Sequence, residues 1–100
     1  MKLRLEIRYS LRARQEEIAL LEYIVENFGV EKAKEIYDRI EKVLGLIAEN
    51  PDMFKASIRK KGLRKCVFSR QTSIYYRVNA GFIEVISFRP NKKNPIHFNI

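Results

Sequence analysis

The side chains with the most chemical potential lie in the second half of the chain. Arg64 and Lys65 stand side by side, Tyr75 and Arg77 are two residues apart, and Arg89 is followed by Lys92 and Lys93. Guanidinium and ammonium groups at this density bind phosphate or carboxylate. Cutting a phosphodiester asks for more: one group must take the proton of the attacking hydroxyl and another must protonate the leaving oxygen. His97 is the only imidazole in the chain, so it and the tyrosine hydroxyls are the candidates for that work. A Ser-His-Asp triad would also have to be built on it. Cys66 is the only cysteine, which excludes an intramolecular disulfide and a multi-cysteine metal site. No metal and no cofactor is expected.

The charge is divided sharply. Residues 1–54 carry 9 Lys and Arg against 11 Asp and Glu, whereas residues 55–100 carry 11 against a single Glu84. The net charge of +8 therefore resides almost wholly in the second half. That half also has the residues with strand character, so the positive field should emanate from a sheet and attract an anionic partner. The partner could be a nucleic acid or an acidic protein segment.

The elements that must position these groups can be read from periodicity. Leu3, Leu5, Ile7 and Tyr9 alternate with Lys2, Arg4, Glu6 and Arg8, which predicts a strand with one buried face. Ser10 is placed to cap a helix whose stripe is Ile18, Leu21, Val25 and Phe28, widened by Leu20 and Ile24 and stopped by Gly29. A second helix follows almost directly. Ala33, Ile36, Tyr37, Ile40, Val43, Leu44 and Ile47 recur at spacings of three and four until Asn50-Pro51. Two helices joined so tightly should form a hairpin.

Residues 52–62 read as a loop, with Arg59-Lys60-Lys61-Gly62 a basic turn. Strands are expected over 63–68, 73–79 and 82–88, with Ala80-Gly81 as a tight turn between the last two. That turn sets Val78 opposite Ile83 and Tyr76 opposite Val85 on the helix-packed side, and Arg77 opposite Glu84 on the other. The expected fold is α+β, in the order β-α-α-β-β-β: a small twisted, mainly antiparallel sheet with a helical hairpin on one face. One hundred residues suit a single domain, 1–100, with 90–100 a weakly ordered tail. Neither an apolar leader nor a run of about 18 apolar residues is present, so the expectation is a soluble, cytoplasmic protein without a membrane partner.

The order of the blocks "AENPDMF", "GLRKCVF", "SIYYRVN" and "IEVISFRPNKKNP" resembles the RelE/ParE superfamily of bacterial toxins, in particular its ParE-like branch. The resemblance implies the toxin half of a type II toxin–antitoxin pair, neutralised by a cognate antitoxin that is acidic and partly disordered. ParE-like members poison DNA gyrase by binding it; RelE-like members cut messenger RNA on the ribosome. RelE-type catalysis draws on an arginine at the start of the third strand and on Arg and Tyr, or a His-Tyr pair, near the C-terminus. This chain has Ser73 at the first position and His97-Phe98 at the last, so the ribonuclease equipment is incomplete.

Two sets of site residues follow. A target- or antitoxin-binding set comprises Arg64, Lys65, Tyr75, Arg77, Arg89, Lys92 and Lys93; a ribonuclease would instead rely on Arg64, Lys65, Arg89 and His97. Plainer roles compete with both. Arg77 could serve as the cross-strand partner of Glu84, Tyr76 and Cys66 suit a core, and Arg89, Lys92, Lys93 and His97 could lie in a solvated tail. A non-toxic descendant that keeps only antitoxin or nucleic-acid binding would show the same sequence features.

Overall fold

The computed structural model describes residues 4–60 and 62–91. Its elements are β1 (Glu6–Tyr9), α1 (Leu11–Phe28), α2 (Val30–Glu49), β2 (Leu63–Val67), β3 (Thr72–Asn79) and β4 (Phe82–Pro90). The strands form one sheet in the order β1-β4-β3-β2, with β1 parallel to β4 and the other pairs antiparallel. The helices pack on one face, as the periodicity requires. Among the described residues no helix is long and apolar enough to cross a membrane.

β1 is shorter than the alternation suggested. Its ladder begins at Glu6, because the Leu5 amide is turned away to donate to the Ala48 carbonyl at the end of α2 (3.0 Å). Leu3 lies outside the described residues. Ser10 then does two things at once: its hydroxyl accepts from the Ala13 amide, capping α1, and donates to the Ile86 carbonyl of β4 (2.8 Å). The start of the helix is thereby fixed to the sheet.

α1 buries a different face from the one expected. Ala13, Glu17, Leu20 and Ile24 are buried and Leu21 is half-buried, while Ile18, Val25 and Phe28 are exposed. The reason is Glu17, which sits in the middle of the inward stripe and hides it from a search for apolar residues. Its burial is made tolerable by partners: the Tyr9 hydroxyl donates to Glu17 Oε2 at 2.8 Å, and Arg14 lies 3.7 Å from Oε1 with its guanidinium over the Tyr9 ring. Desolvation still raises the Glu17 pKa above the ordinary carboxylate value, against the opposing pull of the Tyr9 hydrogen bond and Arg14; the Glu41 carboxylate of α2 adds to the rise.

A consequence for pH follows from that direction. The native state holds the Glu17 proton to a higher pH than the unfolded chain does, so stability from this site is greatest in acid. It declines as pH rises from the ordinary carboxylate range through the raised native value. Glu17→Gln keeps an acceptor for Tyr9 and removes the titration. In thermal melts between about pH 4 and about pH 7, the wild-type Tm should fall relative to that of Glu17→Gln as pH increases. Parallel curves would show that Glu17 does not titrate anomalously.

α2 follows its pattern closely. Ala33, Ile36, Ile40, Leu44, Ile47 and Ala48 are buried, Val43 packs partly against them, and only Tyr37 of the expected stripe faces solvent. A single residue, Gly29, joins the helices. At φ +94° it occupies a conformation that disfavours any side chain, and its amide reaches the carbonyls of Ile24 and Val25.

The β3–β4 hairpin has the anticipated register: Val78 opposite Ile83, Arg77 opposite Glu84 and Tyr76 opposite Val85. Val78 nonetheless remains exposed beside the turn of the hairpin. The register then shifts between Tyr75 and Tyr76, with Ser87 rather than Ile86 opposite Tyr75. This β-bulge reverses the facing of everything after it. Phe88 turns inward against Tyr9 (ring centroids 6.1 Å apart), and Arg89 is delivered to the uncovered face. Glu16 secures the inserted stretch, its Oε1 accepting from the Phe88 amide at 3.0 Å.

β4 runs through Pro90. Asn91 is firmly tied, its amide donating to the Gln71 carbonyl (2.7 Å) and its side chain to the carbonyls of Ser69 and Arg70. Order therefore extends past the point where the tail was expected to begin; residues 92–100 lie outside the described residues.

Candidate functional site

The candidate site is the face of the sheet that the helices leave open. Tyr76 and Ile74 point into the core, so Tyr75 and Arg77 must point the other way. On β2, Lys65 pairs in register with Tyr75, its Nζ 5.9 Å from the ring centroid. On β4, Arg89 pairs with Ser73. Three cations and one aromatic ring from three strands thus share one face. Arg8 of β1 extends the face, its guanidinium 4.1 Å from the Phe82 ring centroid and hydrogen-bonded to Glu6 at 3.0 Å.

The cations differ in how committed they are. Arg77 stands opposite Glu84, but no ion pair forms between them; the Glu84 carboxylate receives a long bond from Asn79 Nδ2 (3.4 Å). Arg77 is exposed and available to a partner. Arg89 is likewise exposed and has no ion pair among the described residues. Such groups are presented to an incoming anion at little cost, since no internal bond must first be broken.

Arg64 does not belong with them. Pairing with Tyr76 puts it on the helix side, where Nη1 donates to the Phe54 carbonyl at 2.6 Å and Nη2 lies 3.0 Å from Asp52 Oδ1. The Tyr76 hydroxyl donates to the Pro51 carbonyl (3.2 Å), and the Phe54 ring meets Tyr76 edge-on. Together these bonds hold the chain after α2 against the end of the core. Adjacent residues of a strand face opposite ways, which is why Arg64 and Lys65, neighbours in sequence, take separate roles.

Ser73 is buried, and its hydroxyl donates to Asn91 Oδ1, so this position serves to lace β4 to the β2–β3 turn. Cys66 is buried on the helix side with its thiol pushed up to about 11 by desolvation; it stays protonated near neutral pH and is no nucleophile. The proton-transferring groups this face does offer are Tyr75, Glu6 and Glu84. Lys92, Lys93 and His97, the remaining residues singled out in the sequence, lie outside the described residues.

The bulge that places Arg89 was the feature sequence reasoning missed. Its only sequence signal was the inconsistent alternation of Val85, Ile86, Ser87 and Phe88, which cannot all obey a period of two with apolar residues inward.

The chain's similarities agree with this architecture. The family model for the ParE toxin of the type II toxin–antitoxin system parDE matches residues 7–95. Among solved structures, the chromosomal ParDE system of P. aeruginosa contains a chain of TM-score 0.74 and 19% identity, covering 88% of this chain and 97% of that one. The YoeB dimer of Staphylococcus aureus gives 0.59 at 19% identity, with 87% and 97% covered. A chain of the E. coli DinJ–YafQ toxin–antitoxin complex gives 0.62 at 10% identity, with 92% and 98% covered. No curated protein matches. At such identities the structural likenesses speak for the fold.

Proposed function

The chain belongs to the ParE toxin family of type II toxin–antitoxin systems, and from that premise we propose that it arrests growth by binding DNA gyrase through the open face of its sheet. Lys65, Tyr75, Arg77 and Arg89 make the contact, and an acidic, partly disordered antitoxin neutralises it. The observation that carries this reading is the character of the face: exposed cations without internal partners, set around an aromatic ring. A binding face needs charge and shape. A nuclease needs, in addition, acid and base groups converging on one phosphate.

Ribonuclease action on the ribosome is the competing reading, and the positive charge alone suits it. Arg64, however, is engaged with Asp52 and Phe54 rather than with Lys65 and Arg89. Ser73 supplies a buried hydroxyl where that chemistry would want a cation.

Purified protein should inhibit gyrase supercoiling or trap gyrase-cleaved DNA, leaving ribosome-programmed messenger intact. His97→Ala should leave growth inhibition unchanged. Messenger cleavage that slows by roughly 10²-fold in that variant, with gyrase unaffected, would replace this reading with the ribonuclease. Growth unaffected by the wild-type chain would leave only the binding descendant.

A further inference from the structure

The segment between α2 and β2 holds Ile58 in solvent at 96% exposure, higher than any other large apolar side chain among the described residues. Lys55, Arg59 and Lys60 beside it are also exposed, and none of the three has an ion pair among the described residues. A lone apolar residue on a surface is ordinary. This one differs because the backbone is bonded so as to hold it out, and because cations flank it.

The frame is a small hairpin. Ala56 bridges Arg64 in antiparallel register, and the Ser57 amide donates to the Leu63 carbonyl at 2.7 Å. The Ser57 hydroxyl accepts from the Lys60 amide (3.1 Å), folding residues 57–60 into a turn with Ile58 and Arg59 at its apex. The Lys60 carbonyl accepts from the Leu63 amide (3.0 Å), and Gly62, at φ +80°, returns the chain to β2. At the base, Arg64 reaches the Phe54 carbonyl and Asp52. Every one of these bonds is made by the backbone, by Ser57 or by the base, so the side chains of Ile58, Arg59 and Lys60 are left to a partner. The hairpin is rooted on the strand that carries Lys65 and sets Leu63 beside Arg77, and its cations therefore continue those of the open face.

We propose that this hairpin is a contact for duplex DNA: Lys55, Arg59 and Lys60 take backbone phosphates, and Ile58 enters the minor groove as an apolar wedge against a base step. The residue types select the partner. A bilayer is a poor match, because one isoleucine buries little apolar surface and even a whole acyl chain holds a protein on a membrane only marginally. Single-stranded nucleic acid is held by stacking on aromatic rings, and the apex has none; Phe54, the nearest in sequence, is turned against Tyr76. A single branched apolar side chain between cations, on a narrow turn, is what a groove about 6 Å wide admits and what unstacks a base step. The contact does not depend on which protein the toxin acts on.

The test uses the full chain and a fluorescein-labelled duplex of about 20 base pairs, titrated by anisotropy over a range of salt concentrations. Each phosphate contact adds about 0.9 to the slope of log affinity against log salt, so Arg59→Gln/Lys60→Gln should flatten the slope by roughly 1.8 and weaken binding about tenfold or more at low salt. Ile58→Ala should weaken binding roughly fivefold with the slope unchanged, because the contact it removes is apolar. Both variants should keep the wild-type melting temperature. Absence of duplex binding would overturn the proposal, as would a slope that the hairpin substitutions leave intact while Lys65→Gln/Arg77→Gln/Arg89→Gln removes it. Equal affinity for a single strand of the same length, tighter binding to phosphatidylserine vesicles, or an Ile58→Ala chain that binds the duplex like wild type would overturn it too. Gyrase supercoiling reports separately on the toxin reading: inhibition without hairpin-dependent duplex binding refutes this proposal alone, and hairpin-dependent binding without inhibition refutes only the gyrase target.

Discussion

A chain carrying Ile40→Asp is expected not to fold. Ile40 is fully buried at the middle of α2, within the cluster that joins both helices to Ile74, Tyr76, Ile83 and Val85. Removing its side chain forfeits about 1.5–3 kcal/mol of apolar burial. A carboxylate left there without a hydrogen-bond partner costs several kcal/mol more, by ionisation or by protonation. A small domain has about 5–15 kcal/mol in total. Circular dichroism should therefore show loss of the cooperative melt, and a variant with an unchanged melting temperature would refute the packing described above. Val25→Asp is the instructive control. Val25 stands on the outward side of α1 at 41% exposure, so the same kind of substitution should cost no more than about 0.5 kcal/mol.

That contrast shows where the sequence was legible. In α2 the apolar residues form one stripe with charges elsewhere, and the stripe is the buried face. In α1 two stripes compete. The one with the cleaner apolar spacing, Ile18, Leu21, Val25 and Phe28, faces largely outward; the buried one contains Glu17. Periodicity cannot rank them, because what admits Glu17 is a hydroxyl from Tyr9, on a different element. The β3–β4 register was legible because a two-residue turn fixes pairing locally. The shift four residues further on was not, since it depends on Glu16 and Ser10 bonding to β4 from the start of α1. The candidate site inherits both outcomes. Tyr75 and Arg77 could be assigned to one face by alternation alone, whereas the facing of Arg89 required the bulge, and the separation of Arg64 from Lys65 required knowing which face the helices cover.

The separation of those two residues gives the second large effect. Lys65→Glu, Arg77→Glu and Arg89→Glu together change the charge of the open face by six units while touching no core side chain and breaking no internal ion pair among the described residues. The triple variant should melt within a few degrees of wild type and lose growth inhibition at matched expression. Its association with the target, and with an acidic antitoxin, should slow by one or more orders of magnitude at low salt, because steering by a charged surface acts mainly on the association rate. Raising the salt should narrow the difference. Arg64→Ala is expected to do the reverse. It removes the bond to the Phe54 carbonyl and the contact with Asp52, at a cost of about 1–3 kcal/mol, and so lowers the melting temperature. The fraction that remains folded keeps the open face intact, and toxicity should fall only as far as folded protein is lost. A triple variant that stays toxic would remove the open face from the mechanism. An Arg64→Ala chain that is fully stable but harmless would return Arg64 to the site, and with it the case for a phosphate held between neighbouring cations.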